Sequence, residues 1–103
     1  MSGSCFIQWA PRARLRLLEI LRDIHDSTGP AVAARWAEHL LRAPEALARH
    51  PRLGHMVPEI GRPDIRELIV PPYRIFYRVR PGSCQVLSIR HARQHTTPGN
   101  FDA

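Results

Sequence analysis

Arginine is the residue type through which this sequence could do most of its chemistry. All 15 basic residues are Arg, against 9 acidic residues, which gives a formal net charge of +6. A guanidinium group presents a planar fork of donors that binds phosphate or carboxylate through two hydrogen bonds. The sequence therefore predicts a polyanion or an acidic protein as partner. The densest group surrounds Glu67, the one acid between positions 66 and 93: Arg66, Arg74, Arg78, Arg80, Arg90 and Arg93.

Histidine, cysteine and glycine do not form recognisable sites. The six histidines show no ligand pair with supporting cysteine or carboxylate spacing, so no metal site is predicted. No serine or cysteine lies in a nucleophile motif, and the glycines form no phosphate-binding loop. Cys5 and Cys84 are predicted to be buried free thiols in a reducing cytosol. We therefore expect neither a metal nor a cofactor.

The length of 103 residues predicts one domain over 1–103. An apolar fraction of 44% can supply its core without a metal or disulfides. No apolar run approaches the roughly 20 residues of a membrane helix, and the first residues do not resemble a secretory signal. We therefore expect a cytoplasmic protein without membrane contact. The tail over about 94–103 lacks periodicity and is predicted to be flexible unless Phe101 docks.

Hydrophobic periodicity predicts the elements that must position the arginines. A short strand over 5–9 precedes an amphipathic helix over Arg12–Ser27. Pro30 opens a second helix that runs to about Arg42, and the short connection predicts an antiparallel hairpin. Three prolines and two glycines in 50–64 indicate an irregular surface crossing. A meander of three antiparallel strands follows, over about 65–70, 73–80 and 84–93.

This order predicts an α+β fold in which the helical hairpin packs on one face of a mainly antiparallel sheet. Alternation along the strand over 73–80 assigns its arginines to the face away from the core, together with Phe76. The residues predicted to face the core are Tyr73, Ile75, Tyr77 and Val79. An exposed Phe76 would suit a plain nucleic-acid-binding module, in which bases stack on aromatic rings. The plainer alternative is that the arginines are solvated charges on the outer face.

Several segments in order resemble the RelE/ParE superfamily, toxins of bacterial type II toxin-antitoxin modules. The segment DIRELIVPPYRIFYRV carries most of the resemblance, with HPRLGHMVPE upstream and LSIRHARQ downstream. The resemblance covers nearly the whole chain and implies the RelE-like α+β fold. It also implies a partner, a small cognate antitoxin whose flexible, acidic C-terminal segment wraps over the toxin. The positive charge of this chain suits such a segment.

The resemblance leaves two toxic activities open. In the ribonuclease branch, which cleaves messenger RNA in the ribosome, the strand over 64–70 carries alternating lysines, and Ile65 and Glu67 occupy those places here. Arg74 and Arg93 match basic residues of that branch, whereas Gly99 lies near the place of an expected tyrosine. Another ribonuclease pattern of the superfamily combines Glu, Arg and a near-terminal His. If this chain is a ribonuclease, its catalytic candidates are Glu67, Arg74, His91 and Arg93.

The REL and YRIFYRV segments look more like the ParE branch, whose characterised members poison DNA gyrase. We therefore expect a toxin that acts on gyrase, with ribosome-dependent RNA cleavage as the alternative and a non-catalytic nucleic-acid-binding module as a third hypothesis. In the first case Arg74 could be structural and pair with a carboxylate. The residues predicted to contact target or antitoxin are Arg14, Trp36, Arg66, Arg74, Phe76, Arg78, Arg90 and Arg93.

Overall fold

The computed structural model describes residues 5–92, which fold as two helices on a five-stranded sheet. Its strand order is β1-β5-β4-β3-β2, and only the β1/β5 pair is parallel. The predicted α+β class and the C-terminal meander are therefore confirmed. The elements are β1 (Phe6–Trp9), α1 (Pro11–Thr28), α2 (Pro30–Arg42), a 3-10 helix (Ala43–Ala48), β2 (His55–Met56), β3 (Ile65–Val70), β4 (Tyr73–Arg80) and β5 (Ser83–His91).

The helical hairpin turns at a single glycine. α1 begins at Pro11, one residue before the predicted start, because proline is tolerated where the helix has no backbone acceptor for its missing N–H. Gly29 takes a φ of +93°, which a side chain would disfavour, and its N–H donates to the His25 carbonyl at 2.8 Å. α2 then starts at Pro30, as predicted. Neither helix within 5–92 has the length and apolar character required to cross a bilayer.

Pro44 ends α2, as its sequence position predicts. The chain continues as a 3-10 helix over Ala43–Ala48, in which Pro44 and Leu47 are buried. Leu47 packs there against Tyr77 of β4. The end of the hairpin is thereby held against the middle of the sheet.

Both faces of the sheet are covered, although the sequence predicted one. The helices bury a core on the first face that includes Leu17, Leu40 and Ile75. On the second face Phe76 is fully buried, with Val57, Ile65 and Leu87 in the same cluster. The predicted exposure of Phe76 is therefore wrong, because the crossing over 50–64 folds back across this face. The hypothesis of a plain nucleic-acid-binding module loses its exposed aromatic ring.

The crossing is fastened to the sheet by one tyrosine. The Gly54 N–H donates to the Tyr77 hydroxyl at 2.9 Å, and that hydroxyl donates to the Pro51 carbonyl at 2.9 Å. A Cβ on Gly54 would meet the Tyr77 ring at 2.8 Å, so only glycine allows this close approach. Next to Gly54 the chain forms β2, a two-residue strand that the sequence did not predict. It pairs with Glu67 and Arg66 of β3.

We predict that Tyr77→Phe lowers the free energy of unfolding by roughly 1–3 kcal/mol, because the buried Gly54 N–H loses its acceptor. Chemical denaturation measures the change. Tyr73→Phe is the matched control, since the described contacts of Tyr73 are made by its ring with Trp36 and His91. Equal stability of the Tyr77→Phe variant and the native chain would contradict this account of the crossing.

Candidate functional site

Arg74 is the centre of the charged group on the second sheet face. Its Nε donates to Glu67 Oε1 at 2.6 Å, and its Nη2 donates to Glu59 Oε2 at 3.1 Å. The guanidinium carbon lies 4.8 Å from the centre of the Phe76 ring. The side chains of Arg74 and Glu67 are only 12% and 8% exposed. The interpretation of Arg74 as a residue that pairs with a carboxylate therefore agrees with the geometry.

The position of this pair follows from strand register. Glu67 lies opposite Phe76, and Ile69 lies opposite Arg74, so Glu67 and Arg74 are diagonal neighbours on one face of β3 and β4. The hydrogen bond with Glu67 raises the pKa of Arg74, against the opposing effect of burial. The guanidinium keeps its charge and is neutralised within the protein. A phosphate would have to displace carboxylates to bind it.

A second arginine group lies on the same face. Arg62 forms a two-point ion pair with Asp64, at 3.1 and 2.8 Å, and Arg78 Nε lies 3.9 Å from the same carboxylate. The hydrogen bond from Arg62 holds the pKa of Asp64 below its usual value, although partial burial opposes the shift. Arg78 is therefore also balanced by a carboxylate from the crossing.

Arg66 lies on β3, and its side chain contacts the backbone of the crossing. Its Nη1 donates to the Gly54 carbonyl at 3.0 Å, and its Nε donates to the Pro63 carbonyl at 3.2 Å. Such contacts hold the loop in place and leave fewer donors of the guanidinium for a partner. Arg66 and Glu67 lie on opposite faces, as alternation requires.

The four ribonuclease candidates are not brought together. Glu67 and Arg74 meet, whereas His91 is opposite Tyr73 in the register and packs its ring against that tyrosine, 6.0 Å between centroids. Tyr73 lies on the helix face, so His91 points away from Arg74. Arg93 lies outside the described residues. Among residues 5–92, no three histidine, cysteine or carboxylate side chains are grouped so as to hold a metal ion.

Arg90 lies at the end of β5, beside the first turns of α1. Burial lowers its pKa, and the nearby charges of Arg16 and Arg12 lower it further. Arg16 Nε donates to the Ile89 carbonyl at 3.2 Å, at the part of β5 that extends beyond β1. Arg90 is directly opposite Arg74 in the register of β4 and β5, so it lies on the same face and adds a positive charge where the sheet meets the first turns of α1.

The helix side of the molecule carries an apolar groove, defined by Trp9, Arg14, Leu17, Leu18 and Leu41. Its cavity measures about 370 Å³. Leu18 is 60% exposed, which is unusual for so large an apolar side chain on a helix that already buries one face. An amphipathic helix buries most of its apolar side chains, and only the packed structure shows that Leu18 is left uncovered.

Trp36 is half-buried in the middle of α2. Its ring meets that of Tyr73 edge to face at a centroid distance of 5.4 Å, and that of His39 at 5.8 Å. These contacts give it a packing role between α2 and β4. Its remaining exposed edge borders a shallow cavity with Val32 and Arg35.

We predict that Glu67→Gln lowers the free energy of unfolding by roughly 2–4 kcal/mol, because Arg74 keeps its charge at a site almost removed from water. Glu59→Gln is the matched control and should cost less than about 1 kcal/mol, since the Glu59 side chain is 37% exposed. Denaturant titration of both variants measures the difference. Equal losses would mean that the protein does not depend on Glu67 as the main counter-charge.

Comparison with known proteins agrees with this architecture. The family model described as the ParE toxin of the type II toxin-antitoxin system parDE matches residues 7–96. Toxin RelE2 of Caulobacter vibrioides is 37% identical over 87 residues, which cover 84% of this chain and 93% of that toxin.

Two solved structures share the fold. A chain of the chromosomal ParDE system of P. aeruginosa aligns with a TM-score of 0.75 at 22% identity, over 87% of this chain and 98% of its own. A chain of the RelBE2 toxin-antitoxin complex from Mycobacterium tuberculosis aligns with a TM-score of 0.59 at 18% identity, over 88% and 94%. The resemblance predicted from the sequence is confirmed. The chain belongs to the ParE toxin family, within the RelE/ParE superfamily of toxins from type II toxin-antitoxin systems.

Proposed function

We propose that this type II toxin inhibits growth through DNA gyrase in the cytoplasm, without cutting RNA. The observation that carries the proposal is the neutralised Arg74, which donates to Glu67 at 2.6 Å and to Glu59 at 3.1 Å. In a ribonuclease of this superfamily the matching arginine would have to hold phosphate. Here its Nε and Nη2 donate to the protein's own carboxylates.

RNA cleavage without a metal makes further demands that this face meets poorly. The reaction needs a base for the 2′-hydroxyl, cations for the pentavalent phosphorane and an acid for the departing oxygen. Ile65, at one of the two lysine places, is fully buried and supplies no charge. Glu67, at the other, brings a negative charge to the place where the phosphorane would need a positive one. His91 lies on the opposite face and cannot serve the same phosphate.

The antitoxin is the second partner, and the apolar groove is the surface that we propose it occupies. A bound segment would cover the exposed parts of Leu18 and Leu41. Together with Trp9, these side chains form an apolar binding surface for an amphipathic helix. Arg14 stands at the edge of the groove and is exposed. A carboxylate of an acidic segment could pair with it, and the net charge of +6 would attract such a segment.

The two other arginines expected to meet antitoxin carboxylates, Arg74 and Arg78, already lie beside Glu67 and Asp64. Reversing their charge would disturb the toxin itself, so they cannot report cleanly on binding. Within residues 5–92, Arg14 at the edge of the groove forms no ion pair with a carboxylate of the toxin. Its charge can therefore be reversed without breaking such a pair.

We expect the toxin, once separated from its antitoxin, to inhibit supercoiling of relaxed plasmid DNA by gyrase in a dose-dependent way. Messenger RNA bound to ribosomes should remain intact under the same conditions. The control is the same toxin with saturating antitoxin, which should restore supercoiling. Cleavage of ribosome-bound messenger RNA together with normal gyrase activity would overturn the proposal and favour the ribonuclease alternative.

We expect Leu18→Glu to weaken antitoxin binding by roughly tenfold or more, because a charge replaces an apolar side chain in the groove. Arg14→Glu should also weaken binding, and its effect should shrink as salt is raised. Leu53→Glu is the matched control, since Leu53 is 54% exposed and lies on the crossing. Titration calorimetry measures the affinities. Equal affinity of the Leu18→Glu and Leu53→Glu toxins for the antitoxin would rule out the groove as its binding site.

A further inference from the structure

Cys5 and Cys84 meet where the start of β1 joins β5. The register pairs Ile7 with Cys84, and side chains alternate along a strand, so Cys5 points to the same face as Ile7. Cys5 packs against the buried cluster that contains Cys84, and Cys5 contributes to the raised pKa of the Cys84 thiol. Two cysteines that lie 79 positions apart in the sequence are thus neighbours in the fold.

The backbone holds Cys5 firmly in this place. Its N–H donates to the Ala48 carbonyl at 2.8 Å, and the N–H of Phe6 donates to the Gly82 carbonyl at 3.0 Å. The Cys5 thiol is therefore presented to Cys84 by two anchored segments, the 3-10 helix on one side and the turn before β5 on the other.

The two thiols differ in their access to solvent. Cys84 is fully buried against Leu47 and Tyr77, and burial raises its pKa to about 11, with a smaller contribution from Cys5. Cys5 is only partly buried, so the prediction that both thiols are buried is wrong for Cys5. β1 is an edge strand of the sheet, and the 3-10 helix that borders its start leaves Cys5 partly exposed to solvent. An oxidant in solution can reach Cys5 but not Cys84.

We propose that Cys5 and Cys84 form an oxidisable dithiol, a modification site at which a small disulfide such as oxidised glutathione closes a bond between the start of β1 and β5. The Cys5 thiolate attacks one sulfur of the oxidant and releases one glutathione. Cys84 then loses its proton to solvent and attacks the Cys5 sulfur, which releases the second glutathione. Two electrons pass to the oxidant, and each departing thiolate takes up one of the two protons.

The bond would add a covalent link at an edge of the sheet that is otherwise held by hydrogen bonds and packing. β1 is a four-residue strand with β5 as its one sheet neighbour, and its far end carries Trp9, a wall of the apolar groove. A covalent link across 79 positions restricts the unfolded chain strongly and therefore favours the folded state. The oxidised toxin should thus unfold at a higher temperature than the reduced toxin. This inference does not depend on gyrase as the target.

The test uses the purified, reduced full chain treated with oxidised glutathione at pH 8. The expected product has lost two hydrogens by intact mass, yields one cross-linked peptide pair containing Cys5 and Cys84, and unfolds on the order of 10 °C higher. Reductant should reverse all three changes. Closure should also accelerate about tenfold for each pH unit between 7 and 9, because the attacking thiolate of Cys84 becomes more populated over that range.

Two variants separate the steps. Cys84→Ser should stop at a glutathione adduct on Cys5, and circular dichroism will confirm that this core variant is folded. Cys5→Ser, which changes a partly exposed position, should remain unmodified because Cys84 is buried. A lasting glutathione adduct on the native chain, a disulfide-linked dimer, or no modification at all would each overturn the proposal.

Discussion

The need to neutralise Arg74 in a place almost without water governs the second face of this sheet. A guanidinium that is 12% exposed cannot lose its proton, so the fold must supply carboxylates to it. Glu67 comes from the neighbouring strand, and Glu59 comes from the crossing that passes over the face. The crossing is thereby drawn onto the sheet, where Val57 covers Phe76 and Tyr77 fixes the backbone at Gly54. A charge that could have met a ligand has instead become part of the structure.

The two sides of the molecule consequently differ in what they offer a partner. On the face with Arg74 and Arg78, basic side chains lie beside the protein's own acids. On the helix side, the apolar groove leaves Leu18 uncovered with Arg14 at its edge. Apolar area with a cation at its rim suits an acidic amphipathic segment better than it suits a phosphate backbone. The helix side is therefore the better surface for a protein partner such as the antitoxin.

Much of the fold could be predicted from the sequence because its signals are local. Apolar spacing in α1 and α2, the stop at Pro44 and the prolines between the last strands report on their own neighbourhoods, and the predicted elements lie within a residue or two of the observed ones. The superfamily resemblance also rests on short segments that can be recognised one by one along the chain, and the family match confirms it. Periodicity failed for Phe76, because alternation tells which face a residue takes but not whether another segment covers that face.

The sequence by itself therefore determined the α+β class, the order of the elements, the strong positive charge and the family. Only the tertiary structure decided how the charges are used. The partnership of Arg74 with Glu59 joins a strand to an irregular loop, the separation of His91 from Glu67 follows from the paired strand register, and the meeting of Cys5 with Cys84 joins two ends of the chain. Contacts between residues far apart in sequence depend on how packed elements and loops are placed in three dimensions, and neither periodicity nor composition encodes that placement.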